Sequence, residues 1–240
     1  MSVWSDIGRI LSGAAISGFS AVVESIKTVF AGDADTRRRV AFSIAIIALS
    51  AKMAKADGVV TEEEITAFLQ IFEVPEGEAE NVSRVFNIAK QDVAGFQSYA
   101  TQVQSLFPED EDVLRDVMDA LFHIAKADSV LHENELLYLE EVAMLFGFSV
   151  SQFEAQKLRH VSLGEADPYA VLEAEPEWSF AEIKAHYRRR VAESHPDKLL
   201  MRGVPPEFIR IANDRVAALN KAWEMVEQIH PSRRTAPVGG

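Results

Sequence analysis

The sequence predicts an all-α protein: a helical bundle that carries an internal repeat, followed by a C-terminal helical hairpin. Three observations predict it. Apolar residues recur at steps of three and four in Ser179–Glu193 (Phe180, Ile183, Tyr187, Val191) and again in Glu207–Gln228 (Ile211, Val216, Leu219, Trp223, Val226). Ala34–Ala56 is apolar on almost every side (Val40, Phe42, Ile44, Ile46, Ile47, Leu49, Met53), as a central buried helix must be. An acidic helix-turn-helix segment that starts at Ala54 recurs without gaps at Ala125, an offset of 71 residues.

Composition narrows the function classes. With 240 residues, 48% of them apolar and 25% charged, the chain can bury a real core. It has no cysteine, so there is no disulfide framework, thiolate zinc site or cysteine nucleophile. The net charge of −13 lies wholly in residues 1–165, which hold 13 Lys and Arg against 26 Asp and Glu; residues 166–240 hold 11 of each. An acidic body argues against nucleic acid as a partner, because phosphate binding needs cationic surface. The pattern divides the chain into a leader helix over 1–32, a helical domain over 33–160, a linker over 161–166, a hairpin domain over 167–230 and a disordered tail over 231–240.

The leader, residues 3–30, mixes small and apolar residues. Arg9 and Glu24 bracket an uncharged run of 14 residues, Ile10 to Val23, that includes Ser12, Gly13, Ser17, Gly18 and Ser20. A spanning helix needs about 20 predominantly apolar residues, so this run is too short and too polar. The start also lacks the basic cluster of a signal peptide. Two readings stand side by side. One is membrane-surface association or self-association through residues 3–30, with small residues at the contact; the other is a loosely docked or partly disordered leader.

Arg37-Arg38-Arg39 reads as the solvated first turn of the central helix. In the repeat, Ala54-Lys-Ala-Asp57-Gly-Val-Val-Thr61-Glu-Glu-Glu64-Ile65 matches Ala125-Lys-Ala-Asp128-Ser-Val-Leu-His132-Glu-Asn-Glu135-Leu136. Each copy ends one helix, turns and starts another. Thr61-x-x-Glu64 fits a capping box, and His132 makes the second cap weaker. Between the copies, Ala79–Lys90 and Gly95–Phe107 read as helices that close the bundle, with Pro75 and Pro108 as breaks. Glu109-Asp110-Glu111-Asp112 favours the positive end of the next helix dipole. His123 sits on an apolar helix as a packed side chain. Gly147-Phe148-Ser149 ends the second unit and restarts a short helix, Val150–Leu158.

In the hairpin, Pro196 lacks a backbone donor and biases its predecessor away from the helical region. It should end the first helix near Ser194 and hold His195 and Asp197 outward, on a loop of about a dozen residues between antiparallel helices. Lys184 and Arg188 lie four apart with like charge, a pair that costs a few tenths of a kcal/mol in an isolated helix. Such a face suits an acidic partner, where cations speed encounter.

These residues carry a resemblance. Asp167-Pro168-Tyr169-Ala170-Val171-Leu172, then the basic helix, His195-Pro196-Asp197, and Ala218-Leu219-Asn220-Lys221-Ala222-Trp223-Glu224 together resemble the J-domain of the DnaJ co-chaperone family. The run His195-Pro196-Asp197-Lys198-Leu199, followed by Gly203-Val204-Pro205-Pro206-Glu207, is similar to DjlA-type J-domains. The acidic repeat resembles the all-helical TerB, or tellurite-resistance, domain, which often stands N-terminal to a J-domain of that type.

The resemblance implies docking on a DnaK-type chaperone ATPase and stimulation of its ATP hydrolysis, with the TerB-like half recruiting an unknown client or sensing a signal. It implies a partner-binding site of His195, Pro196, Asp197, Lys184, Tyr187, Arg188, Arg189 and Lys198. It implies no catalytic residue and no cofactor, and the protein is not expected to be an enzyme. The expected location is cytoplasmic, or peripheral at the inner membrane. TerB-like repeats suggest Asp57, Glu63, Glu64, Asp128, Glu133 and Glu135 as metal candidates. The turns lack the alternating oxygens of a calcium loop, and helix caps explain the same residues, so no metal is expected.

Three departures stand out. DjlA relatives carry an N-terminal transmembrane segment, where this chain has the short polar run. Arg190 occupies a position where J-domains place an apolar core residue, so Val191 should shift or the arginine stem snorkel along the edge. No Gly/Phe-rich linker or zinc-binding cysteines follow the J-domain. The alternative reading is a non-catalytic stress-response scaffold whose TerB-like domain binds a partner or metal. Acid-base catalysis by His195 and Asp197 is disfavoured, because residues two apart on a turn do not readily bond each other.

Overall fold

From Val40 to Met53 no residue reaches the surface. A helix that is apolar round its circumference must be covered on every side, and the first part of the protein does this. The protein is described by a computed structural model, over residues 2–12, 18–56, 66, 68–69, 72–92, 94–108, 110–126, 131–160 and 166–231. Those residues form helices and turns without a strand, so the fold is all-α. The first repeat turn with its Thr61 cap, residues 127–130, linker residues 161–165 and tail residues 232–240 lie outside them.

The chain groups into two units, Met1–Phe148 with Leu200–Ile209, and Ser149–Leu199 with Arg210–Gly240. Unit 1 contains α1 (Val3–Ser12), α2 (Phe19–Val29), α3 (Ala34–Ala56), α4 (Ala79–Gln91), α5 (Phe96–Leu106), α6 (Glu111–Ala125) and α7 (Glu133–Leu145). The central α3 packs against all six others. Its buried polar groups are satisfied locally: Ser43 and Ser50 donate to the carbonyls of Arg39 and Ile46, four residues back. The Lys52 ammonium donates to the carbonyls of Asp92 (3.0 Å) and Ala94 (2.6 Å).

Residues 3–30 differ from both sequence readings. They form two helices whose apolar side chains Trp4, Ile7, Ile10, Leu11, Phe19, Val22, Val23 and Ile26 are buried in unit 1. Those side chains are therefore not available to a membrane surface or a second copy. Gly8 serves a contact within the unit. A Cβ on Gly8 would come within 2.7 Å of Asn81 Nδ2, so glycine lets α1 lie close to α4. Arg84 donates to the Leu11 carbonyl at 2.8 Å and closes the end of α1. An interfacial helix and a docked helix share one apolar period, so the sequence could not separate them. No helix among the described residues is long and apolar enough to cross a membrane.

Asp92 ties α2 to the rest. Its carboxylate accepts from the Phe19 amide (3.3 Å), the Tyr99 hydroxyl (2.9 Å) and the Ala94 amide (2.9 Å), and the Phe19 and Tyr99 rings stack at 4.2 Å. Burial pushes the Asp92 carboxyl up. The bonds from Ala94, Tyr99 and Phe19, with the Lys52 charge, outweigh burial and hold it below 3.8. In the acidic turn before α6, Asp110 also caps the helix, accepting from the Val113 amide at 3.3 Å. Asp110 also pairs with Arg38, so this part of the arginine run is engaged rather than simply solvated.

Unit 2 contains α8 (Val150–His160), α9 (Pro168–Leu172) and α10 (Phe180–Glu193), and shares with unit 1 α11 (Pro196–Met201) and α12 (Ile209–Ile229). Asp167 caps α9 through the Tyr169 amide at 3.0 Å, with Pro168 in the first turn. Ser179 and Glu182 form a reciprocal capping box at the start of α10. Phe180 lies beside Trp223 and His230, and Tyr187 beside Trp223 and Asn220, so α10 and α12 run antiparallel. The core is Tyr169, Val171, Leu172, Ile183, Leu219, Ala222, Trp223 and Val226. Val216 is only half-buried, and Arg215 and Ala218 face inward instead.

Because Trp4 is fully buried, Trp4→Ala should cost about 3–5 kcal/mol of unfolding free energy, read as a lower urea midpoint. A leader docked only loosely would give a shift near zero.

Candidate functional site

The residues joining α10 to α12 are not an open loop. Helix α10 ends at Ser194, which is buried and whose amide bonds the Arg190 carbonyl at 3.0 Å. Pro196 then starts a helix instead of merely stopping one, since its missing donor is harmless in a first turn. The His195 carbonyl accepts from the amides of Lys198 (2.8 Å) and Leu199 (3.2 Å), and Leu199 is buried. His195-Pro196-Asp197 is thus a polar tip between two buried anchors. The side chains of His195 and Asp197 are 58% and 81% exposed, which leaves both open to a partner.

The imidazole is oriented by backbone. His195 Nδ1 accepts from the Asp197 amide at 3.2 Å, so a neutral ring carries its proton on Nε2. The Asp197 carboxylate is 3.6 Å from the same nitrogen, beyond a hydrogen bond, so the two side chains do not form an acid-base pair.

On α10, Arg188 and Arg189 are exposed and Lys184 is half-buried; Lys198 on α11 is exposed and Pro196 half-buried. Arg189 donates to His186 Nδ1 at 2.7 Å, while His186 Nε2 donates to the Leu172 carbonyl at 2.9 Å. Tyr187 faces the hairpin interior, its ring stacked on Trp223 at 5.0 Å and its hydroxyl donating to Asn220 at 2.8 Å. Its contacts stiffen the hairpin beside the tip.

At the position of Arg190 the core is met by Val191, which packs partly buried against it, and the arginine turns to a carboxylate. It pairs with Glu173, which also binds Arg159 at 3.0 Å. The Arg159 side chain is 1% exposed, so this carboxylate neutralises cations that water cannot. Glu173 ends α9 in the left-handed conformation, φ 56°, which turns the chain there. No sequence pattern links positions 159, 173 and 190, because their separations match no single helix.

Among the described residues no group of three or more His, Asp or Glu is arranged to hold a metal ion. Glu133 and Glu135 occupy the first turn of α7, and Glu135 accepts from the His132 amide at 3.0 Å, a capping role. Asp57, Glu63, Glu64 and Asp128 lie outside the described residues.

The model of the tellurite resistance protein TerB family matches residues 43–158. The co-chaperone protein DjlA of Photobacterium profundum is 30% identical, over 80% of this chain and 78% of its own. Those of Legionella pneumophila and Escherichia coli K12 are 25% and 26% identical, over 78% and 73% of this chain and 76% and 74% of theirs. The chain belongs to the DjlA co-chaperone family. No solved structure matches it. Membership in the DjlA family with a TerB-like domain supports a co-chaperone role in general terms.

Two measurements probe the hairpin of this DjlA-family chain. Glu173→Ala strands Arg159 and Arg190 without their carboxylate and should cost about 1.5–3 kcal/mol in urea unfolding. Burial pushes the His186 imidazole below 6.5; the Leu172 carbonyl opposes this, Arg189 and Arg190 add to it, and Glu173 opposes it. The folded state therefore binds its proton later than the unfolded state. The contribution is complete above 6.5 and is lost as pH falls from there through the lower folded value. His186→Gln should flatten that loss when urea midpoints at about pH 7.5 and about pH 5.5 are compared.

Proposed function

We propose that this protein docks its His195-Pro196-Asp197 tip on a DnaK-type chaperone and stimulates that partner's ATP hydrolysis. The observation that carries the reading is a stiff, exposed polar tip at the end of a helix bearing exposed cations, in a chain related to co-chaperones. A stimulator of this kind acts by differential binding: it must hold the hydrolysis-competent state of the partner more tightly than the resting state. Each tenfold preference shifts that equilibrium by about 1.4 kcal/mol. The bond-breaking groups then belong to the partner, and this chain is a non-catalytic regulator. Lys184, Arg188 and Arg189 steer encounter with an acidic surface, Lys198 flanks the tip, and Tyr187 keeps the helix in place. The acidic TerB-like half recruits a client or senses a signal. Its site of action is the cytoplasm, with peripheral contact at the inner membrane as the alternative.

In single-turnover ATP hydrolysis with a DnaK-type chaperone, the wild-type chain should raise the rate and His195→Gln should abolish the effect. Lys184→Ala with Arg188→Ala should raise the concentration needed for half-stimulation, and more so at low salt, because steering is screened by ions. Absence of stimulation by wild type would instead favour a scaffold.

A further inference from the structure

His186 is half-buried on α10, three residues before Arg189, and its ring is held from three sides within unit 2. Nε2 meets the Leu172 carbonyl at 2.9 Å and Nδ1 meets the Arg189 guanidinium at 2.7 Å. The ring also crosses Trp178 at 72°, with centres 5.3 Å apart. The two hydrogen bonds are unlike. A carbonyl can only accept, so Nε2 carries the proton; a guanidinium can only donate, so Nδ1 must be bare. A single tautomer of the neutral ring satisfies both. With a proton on each nitrogen the ring still bonds Leu172, but it has no lone pair for Arg189 and repels it.

Spacing makes the reach a natural one. Long side chains on a helix lean toward its N-terminus, so Arg189 extends back over the residue one turn earlier. Without an acceptor there, an exposed arginine samples many rotamers and must surrender them on docking. The geometry points to His186 as a positioning residue for Arg189: the neutral ring holds the guanidinium in place on the docking helix, and a proton on Nδ1 lets it go. This rests on the docking function proposed above and deepens it. A cation ordered only part of the time binds in proportion to its ordered fraction, so release weakens docking without altering the step that follows. The charged groups facing the ring are Arg189 and Arg190 on α10 and Glu173 at the end of α9. Burial, then the two arginines, keep a proton off the ring against the pull of the Leu172 carbonyl and Glu173, so above pH 6.5 the tether is closed.

The test uses full-length chains. In the protein alone, NMR of the ring protons should show Arg189→Gln raising the pH at which His186 titrates; Arg189 is exposed, so the change leaves the fold intact. An unmoved titration overturns the tether. In single-turnover ATP hydrolysis with a DnaK-type chaperone at about pH 7.5, His186→Ala should raise the half-saturating concentration about threefold with the maximal rate unchanged. Once Arg189→Ala is present, His186→Ala should add nothing. A loss of equal size with and without Arg189 makes His186 a fold residue only and overturns its positioning role. The factor separating Arg189→Ala from wild type should shrink between about pH 7.5 and about pH 5.5, and hold constant in the His186→Ala background; the partner's own pH response cancels in that ratio. A factor that ignores pH in the wild-type background overturns release by a proton. A wild-type chain that fails to stimulate overturns the docking function, and the ring titration then still decides the tether.

Discussion

A helix with no wet side organises unit 1. Between Val40 and Met53 every residue of α3 is buried, so it must be covered on all faces, and α1, α2, α4, α5, α6 and α7 all pack on it. This explains why the N-terminal residues fold inward. Left in water, Trp4, Ile7, Ile10 and Phe19 would expose their own apolar faces and uncover others. Burying a side chain of that size is worth about 1.5–3 kcal/mol, against about 1–2 kcal/mol for fixing the backbone of one residue. Small residues such as Gly8 matter because helices crowded around one axis must approach closely.

Charges placed inside both units act as register marks. Lys52 is buried, yet its ammonium meets two carbonyls and lies 4.3 Å from the Tyr99 ring centre. Glu173 gathers Arg159 and Arg190, and Asp116 gathers Arg202. A buried ion pair adds little net stability against a well-packed apolar substitute, but breaking one partner away is expensive. Sites of this kind therefore penalise every arrangement except the one in which the partners meet. The hydrophobic effect, which has no direction, cannot select a register in this way.

Periodicity made the helices legible, and it also marked the limits of what could be read. The stripe Phe180, Ile183, Tyr187, Val191 identifies α10 and its inner face, and Pro196 identifies the end of that helix at Ser194. The acidic run at 109–112 marks the start of α6 by its charge, and Asp110 caps that helix. Proline at 196 carried two meanings, a stop and a first turn, and only the stop was apparent; α11 was therefore missed. Residues 200–209 look like an ordinary turn because their partners, Arg38, Asp112, Asp116, Trp4, Phe42 and Phe72, are far away in sequence. The same holds for Glu173. Local patterns encode what a residue does for its neighbours within about four positions, whereas these contacts depend on tertiary placement.

The tip gains its character from that division of labour. Three polar residues stand clear of the surface between Ser194 and Leu199, two positions that are almost wholly buried. With the backbone of His195 accepting from Lys198 and Leu199, and its ring accepting from Asp197, the segment has few torsions left to lose when a partner binds. Ordering a flexible side chain or loop on association costs about 0.5–1.5 kcal/mol per group, and a surface already ordered avoids that cost. On the docking function proposed above, an acidic partner would meet a tip whose shape is set before contact, with cations to guide the approach.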